Sequence, residues 1–231
     1  DVSEPANPEQ IGFSDHEEFV SLIDIKVLDS LRRAAGGSPQ VEVLLGIEID
    51  YRPERENEIR EIVQSRPFDY VIGSVHHIGD WPFDHPDYRD GFLGQEIDEV
   101  YKAYYSLVER VAGSGLFDII GHLDLVKIWG HRPIIKETEF IRPFISRLRE
   151  LGTVVEINTA GLRKPVKEIY PAQAVLEFLF EHEIPITFGS DAHTPEEVGE
   201  GLELARELAR RAGYRRIACF RQREKTFVAL D

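Results

Sequence analysis

The stretch Pro185-Ile186-Thr187-Phe188-Gly189-Ser190-Asp191-Ala192-His193 decides the fold, because a short apolar run is followed at once by a carboxylate and an imidazole two residues apart. A run of that length bounded by turn residues reads as a buried strand, and an acid-x-His pair just past it can point two ligand groups into one cavity. The same design recurs upstream. Ile11-Gly12-Phe13-Ser14-Asp15-His16, Leu44-Leu45-Gly46-Ile47-Glu48, Val71-Ile72-Gly73-Ser74-Val75-His76 and Ile119-Ile120-Gly121-His122 each set His, Asp or Glu after apolar residues.

Between these runs the apolar spacing turns helical. The pattern predicts helices over residues 17–35, 54–65, 97–112, 137–151, 171–183 and 196–212, with Pro171 opening the fifth. Strands are expected at 11–14, 41–49, 70–75, 117–121, 153–157 and 184–189, with closing strand material at 214–230. Strand and helix alternate throughout, which implies parallel strands joined by helical crossovers. The clustering of ionisable residues at strand ends favours a closed or nearly closed α/β barrel over an open sheet, as one domain spanning residues 1–231. Residues 77–95 form a long loop rich in Asp, Pro and Gly, read as a candidate lid.

Composition narrows the function. The chain has 231 residues, a formal net charge of −15 and a single cysteine, Cys219, in a strand-like run. That charge argues against nucleic-acid or anionic-membrane partners, while leaving room for an anionic substrate held by metal ions and a few local cations. One cysteine excludes an internal disulfide framework. No apolar run approaches the roughly 18 residues of a membrane span, and Asp1-Val2-Ser3-Glu4-Pro5 does not read as a secretory leader, so the expectation is a soluble cytoplasmic protein. The chain contains no Met, so the expectation is either that its N-terminus lies upstream or that residues are missing from the sequence.

On the catalytic face of such a barrel, strand-terminal groups far apart in sequence converge. His16, Glu48, His76, His122, Asp191 and His193 all fit that description. Imidazole and carboxylate without thiolate suit Zn, Mn or Fe, and six ligands are too many for one tetrahedral ion. Two or three divalent ions bridged by Glu48 or Asp191 are therefore expected. His77, His85, His131 and His182 lack the strand-end position and read as structural, with His77 a candidate for supporting a ligand. Arg163, in a Gly-containing loop directly after a strand and near Lys164 and Lys167, is the candidate for gripping an anion such as phosphate in two-point fashion.

At Ser190-Asp191-Ala192-His193, Gly121-His122-Leu123-Asp124, Gly73-Ser74-Val75-His76-His77 and Asn158-Thr159-Ala160-Gly161-Leu162-Arg163-Lys164, the sequence resembles the polymerase-and-histidinol-phosphatase metallohydrolase family, and within it the histidinol-phosphate phosphatases. The resemblance runs from Ile11 to the C-terminus. It implies a distorted seven-stranded (β/α) barrel with a trinuclear metal site, hydrolysing the small phosphate ester histidinol phosphate in histidine biosynthesis. It also implies that Glu48 bridges two ions, His76 and His122 ligate one of them, Asp191 holds another, and His16 and His193 help bind the third. Such proteins open with a strand ending in His-x-His and a further His nearby. Those residues are absent here, which again points to an incomplete N-terminal record. The mechanism expected is in-line attack on phosphorus by a hydroxide bridging the ions, with Arg163 on the phosphoryl oxygens and Asp191, or in reserve Asp15, handling the proton. A phosphodiesterase or exonuclease of the same family, and a metal-binding scaffold with impaired catalysis, are the alternatives.

Overall fold

A computed structural model describes residues 9–16 and 41–230. Its centre is a six-stranded parallel sheet in which strand order follows chain order: β1 (Glu9–His16), β2 (Val41–Asp50), β3 (Tyr70–Ser74), β4 (Ile119–Ile120), β5 (Val154–Asn158) and β6 (Ile186–Gly189). Each strand pairs in parallel with the next, so every connection between them is a crossover. Sequential order with one sense of pairing is the pattern of a barrel wall.

The period-two alternation of a strand sorts the side chains onto two faces. Val43, Leu45, Ile47 and Ile49 of β2, Val71 of β3, Ile120 of β4 and Val155 of β5 face outward into the main apolar core. That core is completed by α1 (Glu56–Gln64), α2 (Ile97–Ser114), α3 (Glu137–Ile141), α4 (Ile145–Leu151) and α5 (Gln173–Glu181). α1 contributes Ile59 and Val63, one helical turn apart, and α2 contributes Val100, Tyr101, Tyr104, Val108 and Val111. α6 (Leu202–Ala212) packs Ala205, Ala209 and Ala212 against Ile157 and Ile186, where small side chains allow close approach to the sheet.

The inner face is filled from the other end of the chain. β7 (Arg216–Arg221) and β8 (Glu224–Ala229) form an antiparallel hairpin, with β7 beside β6. Its turn residues Gln222 and Arg223 have φ of 50° and 66°, the left-handed pair that a two-residue hairpin turn requires. Ala218 and Phe220 of β7 are buried against Leu44, Tyr70, Ile72, Ile119 and Val154. Four successive strands can touch one pair of side chains only if the sheet curls around them, so the distorted barrel expected from the sequence is formed. Its last stave is an antiparallel hairpin acting as a plug.

Three local expectations change. Helix 137–151 is two helices, because Pro143 has no amide hydrogen to donate and its ring clashes with the preceding turn. α6 begins at Leu202, since Gly199 and Gly201 hold φ of 78° and 77° and break the helix predicted from 196. Pro171 lies before the cap residue Ala172, outside α5. Loop 77–95 is anchored, with Phe83 and Phe92 buried, Trp81 edge-on to Phe92, and the Trp129 indole donating to the Phe83 carbonyl at 2.8 Å. Two buried aromatic side chains thus pack the loop read as a candidate lid against the core, and its residue Asp84 lines the cavity described below. The helix predicted over 17–35 lies outside the described residues. No described helix is long and apolar enough to cross a membrane.

Phe220→Ala should cost about 3–5 kcal/mol of stability by opening a cavity inside the barrel. Denaturant unfolding measures this; a loss under about 1 kcal/mol would show that the hairpin does not plug the sheet.

Candidate metal centre

The inner face changes character along the strands. At the N-terminal end it is apolar and closed by Phe220. Toward the C-terminal end the inward positions are Glu48 on β2, Ser74 on β3, and Glu156 and Asn158 on β5, all buried. Burying carboxylates together is costly unless each is hydrogen-bonded or paired. The structure shows how each is paired.

Glu48 is the hub. Its Oε1 accepts the Ser74 hydroxyl at 2.6 Å and lies 3.1 Å from His122 Nε2 and 3.8 Å from His76 Nε2. The two imidazoles face each other with Nε2 atoms 3.2 Å apart. Burial would raise the Glu48 pKa, but the hydrogen bond and charge of His122, with His76 and Ser74 behind them, outweigh it and hold the carboxyl well below its usual range. His122 is raised: burial opposes this, and Glu48 overcomes it. His76 is likewise pushed up to about 9, because its Asp50 hydrogen bond and the Glu48, Asp84 and Asp50 charges exceed its desolvation. Glu48, His76 and His122 each offer an atom within 4.8 Å of the others, a group able to hold a divalent ion.

Support comes from residues that strand-end reasoning passes over. Asp50 accepts the His76 backbone N–H at 3.0 Å, lies 3.4 Å from His76 Nδ1, and is 2.9 Å from His77 Nδ1. An acid on the far nitrogen orients the imidazole and leaves Nε2 facing the centre. Glu156 accepts the His122 backbone N–H at 3.1 Å and the Asn158 amide at 3.0 Å. Burial, countered by His122 and reinforced by Asp191 and Glu48, pushes its carboxyl up to about 7. A Cβ at Gly189 on the adjacent strand would stand 1.9 Å from Glu156 Oε1, so only glycine there leaves room for that carboxylate. The signal for Glu156 is thus a glycine on the next strand, visible only once register is known.

His122 and Asp191 both follow strands with positive φ, 21° and 48°. Non-glycine residues in such conformations persist where surroundings over-determine them, as at functional sites. Asn158 Nδ2 donates to Asp191 Oδ2 at 3.2 Å, and His193 Nδ1 lies 3.5 Å from Asp191 Oδ1. Asp191 and His193 therefore stand on the wall of the same cavity of about 130 Å³ that contains Glu48, His76 and His122. Asp84, Lys164 and the phenol of Tyr170 line it as well. Arg163 does not: its guanidinium donates to the Ser190 and Asp191 carbonyls at 2.7 and 2.9 Å. Asp15 and His16 end β1, with His16 in register beside Glu48; their side chains lie outside the described part of the structure. Of the remaining histidines, His85 caps a turn through the Asp87 amide, His131 stacks on Phe92 and His182 lies tilted against Phe178.

Behind the cavity a buried ion pair braces this wall. Lys127 Nζ lies 2.7 Å from Asp124 Oδ2 and donates to the Ile169 carbonyl at 2.9 Å, while the same Asp124 oxygen accepts the Ala172 N–H at 2.7 Å. Tyr170 is held between those two backbone anchors.

The fold and site define a barrel-type protein whose strand ends assemble a carboxylate and two imidazoles able to hold a divalent cation. The chain belongs to the PHP domain family: the PHP domain model matches residues 6–160, and the PHP-associated model residues 173–210. It is similar to a probable histidinol-phosphatase of Deinococcus radiodurans, 40% identical over 185 residues that span 80% of this chain and 70% of that protein. A probable histidinol-phosphatase of Schizosaccharomyces pombe is 28% identical, covering 85% of this chain and 68% of the relative. The histidinol-phosphatase of Lactococcus lactis subsp. lactis is 27% identical, covering 92% and 83%. In three dimensions the chain resembles a crystal structure of the Lactococcus lactis histidinol phosphate phosphatase complexed with zinc, L-histidinol and phosphate, with a TM-score of 0.77 at 23% identity, over 94% of this chain and 87% of that one. This last likeness is one of fold.

Because the His76 pKa is raised to about 9, its imidazole is protonated at neutral pH in the metal-free protein. A metal must expel that proton, so loading at pH 7 should release protons and apparent affinity should fall as pH drops below about 9. Calorimetry in buffers of different ionisation enthalpy checks this; heats independent of the buffer would contradict it.

Proposed function

We propose that the chain is a metal-dependent phosphomonoesterase that hydrolyses L-histidinol phosphate to L-histidinol and phosphate. The observation that carries this reading is the convergence of Glu48, His76 and His122 on one point of a cavity, in a chain 40% identical to a probable histidinol-phosphatase. The donor set fits a metal on its own chemistry. A buried and a half-buried imidazole nitrogen 3.2 Å apart, beside a carboxylate oxygen, are donors that a shared cation would satisfy together. Imidazole and carboxylate suit zinc, manganese or iron.

We take the ions to number two or three, of which Glu48 would hold more than one. Asp191 and His193, which line the same cavity, would supply further ligands, and His16, in register beside Glu48, would supply another. Ions bound there would neutralise phosphoryl oxygens and lower the pKa of water to about 7, so that a nucleophile exists at neutral pH. The chain's own residues do the rest. Asn158 and the strained backbone hold the Asp191 carboxylate toward the cavity, where it handles the proton needed by the departing histidinol oxygen, with Asp15 in reserve. Asp84 faces the cavity as a counter-charge for the substrate ammonium, and Leu125 and Ile128 give an apolar wall to its carbon framework.

The full chain loaded with zinc or manganese should release phosphate from histidinol phosphate. Glu48→Ala should lower both metal bound per chain and turnover, the latter by at least about a hundredfold. Unchanged metal stoichiometry in that variant would remove Glu48 from the centre, and no phosphate release by the loaded wild-type chain would overturn the activity.

A further inference from the structure

A phosphoryl dianion entering a cavity walled by Glu48, Asp84 and Asp191 calls for a cation from the protein, and two adjacent residues, Arg163 and Lys164, offer one. Their circumstances differ. Arg163 has its donors engaged: Nη2 serves the Ser190 and Asp191 carbonyls, Nη1 is 3.2 Å from Glu200 Oε2, and Nε is 3.6 Å from Glu197 Oε1. Glu197 in turn accepts the His193 backbone N–H at 2.8 Å. The guanidinium therefore ties the loop after β5 to the backbone of Asp191 and, through Glu197, to that of His193. Turning it toward a phosphate would break two carbonyl hydrogen bonds and leave two carboxylates uncompensated. Lys164 is exposed and lines the cavity, and its ammonium has no carboxylate partner among the described residues. It is also the one Lys or Arg side chain among the lining residues.

We propose that Lys164 makes the direct charge contact with the phosphoryl oxygens, while Arg163 is a positioning residue that fixes Asp191 and His193. This rests on the phosphate-ester reading above. The assignment reverses the sequence argument, which favours Arg for its two-point fork. The guanidinium is present, but its Nη2 is spent on two successive carbonyls of the Asp191 loop, where a left-handed backbone needs holding, and its Nη1 and Nε face Glu200 and Glu197. A flexible ammonium at the mouth serves as a point charge, compatible with a phosphate that must enter and leave.

The test uses the metal-loaded full chain and inorganic phosphate as the probe, read by titration calorimetry, with steady-state kinetics on histidinol phosphate alongside. Lys164→Ala should weaken phosphate binding about tenfold and raise KM, with metal content unchanged, and Lys164→Arg should restore most of the affinity. Arg163→Ala should lower kcat while phosphate affinity stays within about threefold. Arg163→Lys keeps the charge, but a single ammonium cannot serve the two carbonyls and face Glu197 and Glu200 at once, so it should behave as Arg163→Ala does; a phosphate ligand would be largely rescued by that change. Unaltered phosphate affinity in Lys164→Ala, or a greater loss in either Arg163 variant, would overturn the assignment. Phosphate binding is read without turnover, so a chain that binds phosphate through Lys164 yet leaves histidinol phosphate intact would refute the substrate and not the contact.

Discussion

A carboxylate taken out of water is the constraint on which the site depends. Glu48 is buried at the end of β2, where desolvation alone would cost several kcal/mol, and it stays ionised only because His122, His76 and Ser74 reach it. Those partners come from β3, the residues just after it and the turn after β4, so the charge is tolerable only while three neighbouring strands keep their register. Parallel pairing of Glu48 with Ile72, and of Gly73 with Ile120, fixes that register. A one-residue slip would turn Glu48 into the outer apolar core.

The same curled sheet does two unlike jobs because its inner face is graded. Leu44, Tyr70, Ile72, Ile119 and Val154 bury Phe220 at one end and supply cohesion; the buried polar residues Glu48, Ser74, Glu156 and Asn158 occupy the other. Cohesion at one end pre-organises the other. Among the described residues the helices on the outer face bear no part of the site, and the Lactococcus lactis histidinol phosphate phosphatase shares the fold at 23% identity.

Much of this was legible before any coordinates. Glu48, His76 and His122 stood out because each follows an apolar run, and strand ends converge in a barrel; they lie together. Asp191 and His193 share their cavity for the same reason. Glu156, Asp50 and the part played by Asn158 were not legible, since a polar residue within or beside a strand acquires meaning only from what lies near it across the sheet, such as Gly189, which pairs with Asn158 and leaves room for the Glu156 carboxylate. Lys164 was overshadowed by Arg163, because residue type suggests what a side chain can grip and not what already occupies it. Pro143 and the Gly199/Gly201 pair carried readable stop signals that helical periodicity masked.

The proposed centre requires imidazole and carboxylate from separate strands to share a cation. X-ray absorption at the metal edge of the loaded protein tests this directly. Multiple-scattering features of at least two coordinated imidazoles, with the remaining ligands oxygen, are the predicted result. A first shell of oxygen alone, with no imidazole signature, would show that the ion binds elsewhere and that His76 and His122 meet Glu48 for structural reasons only.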